Sequence, residues 1–384
     1  MFNLKHTLHT KYVSILGVTA FMLLLLANVS TGIAAARETA SKNVLIVLSG
    51  HGLEQGEKQP GYEFSEFSKA YLVFKANGLA VDIASPAGGR VEADKYNPAQ
   101  PYNSQVLADQ AIMHKLHNTL STQSIKASDY DGIFVVGGKG AMFDLPKDKA
   151  LQQLIANIYA NKGSVAAVCH GPAALVDVKL ADGSYLISGK AINAFTNIEE
   201  QMFGQKWMPH FEFMLEDKLI ERGAKFQSSG MMLSHVAVDG RLITGQNPTS
   251  SSQTAEALVR SLGYTPVARQ PFQDEVTMSL IARVLENDAS ALQTLKDNTD
   301  DYPLALVGMY GFYHSKSAQT DLQLSHGLSL MDIAHKALNN KALDLQIVKT
   351  LQKLGHKVKG KALLENLLQR HPDMASAKAL LEQW

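Results

Sequence analysis

Apolar runs and amphipathic stretches alternate along the chain from Ser41 to Gly263. Asn43–Gly50, NVLIVLSG, is apolar at successive positions and stops at glycine, the pattern of a strand buried on both faces. Glu63–Gly78 has helical spacing and a glycine stop, and Leu79–Pro86 reads as a second strand. Ala87–Ser104, rich in Gly, Pro and Asn, predicts a long loop, and Gln105–Leu120 a helix. Tyr130–Gly140 predicts a strand running into glycines, Lys149–Lys162 a helix, and Ser164–Val168 a short strand ending at Cys169. Further strands are expected at Tyr185–Ser188, Ala191–Ala194, Lys225–Gln227, Val236–Asp239 and Leu242–Gly245, with a closing helix over Ser250–Gly263. Strand–helix alternation predicts an α/β fold: a parallel sheet sandwiched between helices, of flavodoxin-like type, with ligands at the carboxyl ends of the strands.

The pattern changes after Tyr264–Asp274, YTPVARQPFQD. From Glu275 the strand signal is gone. VTMSLIARVLEN, LSLMDIAHKALNN, DLQIVKTLQKLG and GKALLENLLQRHPDMASAKALLEQ are amphipathic and predict helices. The expected organisation is therefore an α/β domain over 42–265 and an all-helical domain over 275–384, either tetratricopeptide-like pairs or a plain bundle.

The N-terminus follows another rule. Lys5 and Lys11 precede an uncharged apolar run, Val13–Asn28, and then small residues with Ala34 and Ala36 in A-x-A spacing. Residues 1–36 read as a secretory signal peptide, which implies an exported, periplasmic protein; the alternative is an uncleaved membrane anchor.

Composition narrows the function. A chain that is 46% hydrophobic can bury a substantial core, and 36 basic against 36 acidic residues argue against a nucleic-acid partner. One cysteine, Cys169, excludes an intramolecular disulfide. His114 and His117 form a lone i,i+3 pair, too few donors for a zinc site, and no metal is expected.

Cys169 lies in VAAVCHGPAAL, between a strand and an expected helix. A lone cysteine is ordinarily a small buried hydrophobe. Here Ala167 and Gly171 flank it at two residues on either side, as a nucleophile elbow requires, and Pro172 suits a first helical turn. The elbow would aim the thiol at a helix N-terminus, favouring thiolate, and set the His170 amide to stabilise an oxyanion. The His170 side chain is expected to point away from the sulfur, because neighbours at an elbow diverge. Gly137-Gly138 follow a strand of the same sheet, where glycine lets backbone N–H groups approach a substrate oxygen. Glu66, on the first helix, and Glu199-Glu200, after AINAF, are candidate proton carriers. His210-Phe211-Glu212 reads as packing or surface.

EFSEFSKAYLVFKANGLAVDIASPAGG, YDGIFVVGGKGAMFDLP, VAAVCHGPAALVDV, AINAFTNIEE and VDGRLITGQNPTSS together resemble the DJ-1/PfpI superfamily, of class I glutamine amidotransferase-like fold. The branch they resemble most is the heat-shock-protein-31-type, glutathione-independent glyoxalases. The resemblance implies that Cys169 is the nucleophile, followed by its histidine, His170. It implies that Glu66 hydrogen-bonds the cysteine, that Glu200 is an acidic third member, and that Gly137 and Gly138 form the oxyanion loop. It further implies a small aldehyde substrate and no cofactor. GGKG stands where the family commonly has GGHG, so Lys139 adds a charge at the rim. Two other readings remain open: a stress or redox-sensing protein with an oxidisable cysteine, and a PfpI-type cysteine peptidase. A homodimer, and a protein partner at the C-terminal helices, are further expectations.

Overall fold

The computed structural model describes residues 41–383. Its first part is a sheet with helices on both faces. β1 (Asn43–Val47) leads to α1 (Phe64–Ala76), then β2 (Ala80–Ser85), α2 (Pro101–Leu107), α3 (Gln110–His117) and β3 (Leu120–Ser121). β4 (Gly132–Val135), α4 (Lys149–Ala160) and β5 (Ser164–Val168) follow. After the elbow come β6 (Ala191–Ile192), α5 (Asn197–Phe203), α6 (Leu215–Glu221), β7 (Lys225–Phe226), β8 (Val236–Asp239), β9 (Leu242–Gly245) and α7 (Ser251–Ser261). Seven strands form one sheet in the order β3-β2-β1-β4-β5-β9-β8. Every pairing in it is parallel except the β8–β9 hairpin. β6 and β7 pair separately, also in parallel.

Alternate strand residues face opposite layers, which explains the continuous apolar runs. Val44, Ile46, Phe134, Ala166 and Val168 pack with α1 and α7 residues such as Phe67, Phe74 and Leu258. Leu45, Val47, Ile133, Val135, Val165 and Ala167 pack on the other face with Leu151, Leu154, Ile155 and Ile158 of α4. The sheet is thus buried on both sides, and β5 lies inside it between β4 and β9.

Several local expectations are corrected. Gln105–Leu120 is not one helix: Asp109 interrupts it and caps α3, accepting from the amides of Ala111 and Ile112. Pro101 starts α2 inside the segment read as loop, and Leu120–Ser121 pairs with β2 as a short edge strand. Tyr185–Ser188 is a turn rather than a strand. The adjacent Leu186 and Ile187 both bury in one core layer, whereas successive strand residues would face opposite ways.

Beyond α7 all regular elements among the described residues are helices: α8 (Gln273–Leu285), α9 (Ala289–Asp297), α10 (Leu304–Ser317), α11 (Asp321–Leu338), α12 (Lys341–Lys353), α13 (Lys357–Arg370) and α14 (Ala375–Leu381). The pattern over 360–383 breaks into α13 and α14 around Pro372, which cannot donate to a continuing helix. Leu280, Ile281, Leu295, Val307 and Leu330 form their own core, against which Met232 and Leu233 of the α/β part also pack. The expected signal peptide lies outside the described residues.

Candidate active site

The carboxyl end of β5 turns sharply. Cys169 has φ 60°, a conformation that costs a non-glycine residue energy and persists only where its surroundings impose it. Its amide bonds the Gly245 carbonyl at 2.8 Å and its carbonyl accepts from Phe195 at 2.9 Å, so both sides of the strained residue are pinned. A side chain at Gly171 would strike the carbonyl oxygen of Val135, which is why the flank must be small.

His170 corrects one expectation. Its side chain does not diverge: Nδ1 lies 3.3 Å from the Cys169 sulfur, and Nε2 lies 2.7 Å from Oε2 of Glu200. After the left-handed residue at 169, residue 170 returns to the right-handed region (φ −84°, ψ −10°), and the ring lies beside the thiol. Phe195 lies 4.5 Å from the imidazole centroid to centroid, and Phe211 packs edge-on at 6.3 Å. Phe211 therefore packs against the site, while Glu212 pairs outward with Lys147.

The two glutamates after AINAF divide their work. Thr196 and Glu199 form a capping box at the start of α5. Glu199 also accepts from the Met232 amide at 2.7 Å and from the side chains of Gln246 (3.0 Å) and Asn247 (2.9 Å). That leaves Glu200 to face His170. Its outer oxygen fills the space beside Gly204, where a Cβ would fall directly on Glu200 Oε1.

Glu66, fully buried on the first turn of α1, lies beside Cys169: a Cβ at Gly137 would meet both the Cys169 Cβ and Glu66 Oε2. Its Oε2 accepts the Gly137 amide at 2.8 Å. The Gly137 amide thus holds the Glu66 carboxyl rather than standing open to a substrate oxygen. The sites expected at Cys169, His170, Glu66, Glu200, Gly137 and Gly138 thus lie together.

The electrostatics correct a second expectation. Gly171–Leu175 is a short 3-10 turn rather than a full helix, and Cys169 is only 3% exposed. Burial pushes the thiol well up, and the neighbouring Glu66 carboxyl pushes it further; the Gly138 amide and Lys139 pull it down. Glu66 is itself raised well above the ordinary carboxyl range by burial, then by Glu63. Ionised Glu66 opposes ionisation of the thiol, whereas the thiol beside it favours the carboxylate, so of the two it is the sulfur that holds its proton more firmly. Glu63 and Lys139 were not foreseen as partners of Glu66. Glu63 caps α1 and its amide bonds the Gly137 carbonyl at 3.1 Å, contacts with no local sequence signature. A cleft of about 770 Å³ walled by Tyr62, Phe64, Arg90 and Tyr96 does not include Cys169; chemistry, not cavity size, locates the site.

A strained cysteine on a parallel strand, with a histidine and an acid behind it and a second carboxyl beside it, marks the class of α/β proteins built around an elbow cysteine. The chain belongs to the DJ-1/PfpI family, whose model matches residues 58–261. It is 32% identical over 237 residues to the glutathione-independent glyoxalase hsp3102 of Schizosaccharomyces pombe, covering 58% of this chain and 98% of that protein. It is 34% identical over 238 residues to the glutathione-independent glyoxalase HSP31 of Saccharomyces cerevisiae, with the same coverage of 58% and 98%. Among solved structures it is similar to glyoxalase III of Candida albicans, at 27% identity and TM-score 0.53, over 57% of this chain and 97% of that one. The helices from Gln273 lie beyond the matched family residues.

Proposed function

We propose that this protein converts small 2-oxoaldehydes of the methylglyoxal type to 2-hydroxy acids without glutathione, through Cys169. The observation that carries the reading is the hydrogen-bonded series Cys169 Sγ–His170 Nδ1, His170 Nε2–Glu200 Oε2, at 3.3 and 2.7 Å, with Glu66 against the same sulfur. The names of the similar yeast proteins support it.

The thiol gives its proton to His170, whose ring Glu200 orients, and the sulfur adds to the aldehyde carbon. The developing alkoxide takes the His170 amide as donor and a proton to become a hemithioacetal. A base, His170 or Glu66, removes the hydrogen from that carbon; the resulting enediol is reprotonated on the neighbouring carbon, leaving a thioester. Water cleaves the thioester and the thiol is restored. The sum is R–CO–CHO plus water giving R–CHOH–COOH, an internal redox exchange that consumes no external oxidant or reductant.

The test is hydroxy-acid formation from methylglyoxal by the protein and by Cys169→Ala. Turnover that vanishes in the variant supports the reading; equal rates in both end it. Casein cleavage by the wild type in place of aldehyde turnover would transfer the site to the peptidase reading.

A further inference from the structure

The C-terminal helices touch the α/β part at several places, and two of these contacts lie on helices that carry a carboxyl group of the site. On α1, Lys69 follows Glu66 by one turn and is only 4% exposed; its ammonium meets Asp274 of α8 at 2.6 Å. The Tyr102 hydroxyl also reaches Asp274 (3.4 Å), and the ammonium lies 4.6 Å from the centroid of the Tyr102 ring. On α5, Phe203 follows Glu200 by one turn and meets Tyr313 of α10 edge to face at 4.7 Å. Met232, which packs against the helical core, donates its amide to Glu199, the neighbour of Glu200.

We propose that these helices position the active site: α8 through Asp274 and α10 through Tyr313 hold α1 and α5, and so set Glu66 and Glu200 against the Cys169–His170 pair. The proposal rests on the reading of Cys169 as nucleophile. A region that merely covered apolar surface would need no ion pair on a buried ammonium, since well-packed apolar side chains join two elements at least as well. An ion pair between a buried ammonium and one carboxylate instead demands a single placement of α1. An edge-to-face ring pair imposes a similar geometric demand on α5. Displacements well under a helical turn at either contact pass directly to a carboxyl one turn away, and catalytic geometry tolerates little of this.

Cys169 is the single cysteine, so iodoacetamide alkylation against pH reports the site independently of any substrate. The variants are Asp274→Asn and Tyr313→Leu, with Asp274→Glu and Tyr313→Phe as conservative controls. Lys69→Met/Asp274→Leu removes the ion pair without leaving an unpaired charge. Folding is checked by circular dichroism. The expected result is an alkylation profile displaced in pH or changed about threefold in rate, and kcat for methylglyoxal lowered about tenfold with little change in KM. The Glu and Phe variants recover most of the loss. Folded variants whose alkylation profile superimposes on the wild type overturn the proposal. Absence of turnover in the wild type removes the glyoxalase reading, while a displaced alkylation profile still sustains the positioning role.

Discussion

Glu200 holds His170 from the side opposite the sulfur, its Oε2 2.7 Å from Nε2. Both groups are buried, so the pair fixes which imidazole nitrogen faces Cys169. Replacing Glu200 by Gln keeps the shape and removes the charge. The expected outcome is a fall in kcat of about 10²-fold with KM nearly unchanged, read from methylglyoxal kinetics.

Gly204→Ala offers an independent route to the same result. The added methyl lands on Oε1 of the buried Glu200 and crowds its backbone carbonyl, so the carboxyl must leave His170 or the turn must shift. Activity is expected to fall nearly as far as in Glu200→Gln, and the melting temperature to fall as well, because a buried carboxyl loses its partner.

Lys139 acts at a distance. Its charge favours the ionised forms of both Cys169 and Glu66. Lys139→Met therefore raises the thiol further. The alkylation profile of Cys169 is expected to move to higher pH, and the rate at neutral pH to fall; a profile that moves to lower pH would contradict this.

Asp144 provides a stability test. Burial pushes its carboxyl from 3.8 up to about 6, although it accepts the Gly50 amide at 2.7 Å. A carboxyl raised in the folded state stabilises the fold below pH 4 and loses that contribution as pH climbs through 6. Asp144→Asn cannot ionise, so its melting temperature relative to wild type should improve between pH 4 and pH 7. Thermal melts at both values check the sign.

Much of this site was legible in the residues. Small flanks at Ala167 and Gly171 announce the elbow, and at Gly171 a side chain would strike the Val135 carbonyl. Apolar runs announce β1, β4 and β5 because the sheet is covered on both faces. The inward turn of His170 was not legible: it follows from the backbone sign at Cys169, which spacing does not encode. Nor was the choice between Glu199 and Glu200, decided by the distant Met232, Gln246 and Asn247. α9 and α10 were missed too. α10, LALVGMYGFYHSKS, is apolar round much of its surface and shows no clean polar stripe. The Lys69–Asp274 pair spans 205 positions and leaves no mark on either neighbourhood.

The elbow strand has a parallel neighbour on each side and lies four strands from one edge strand of the sheet, β3, and two from the other, β8. Fraying of the outer strands on warming or in urea therefore does not reach it. Heat inactivation and loss of ellipticity should overlay as a single transition, and the amides of Val165–Val168 should be among the slowest in the chain to exchange with deuterium.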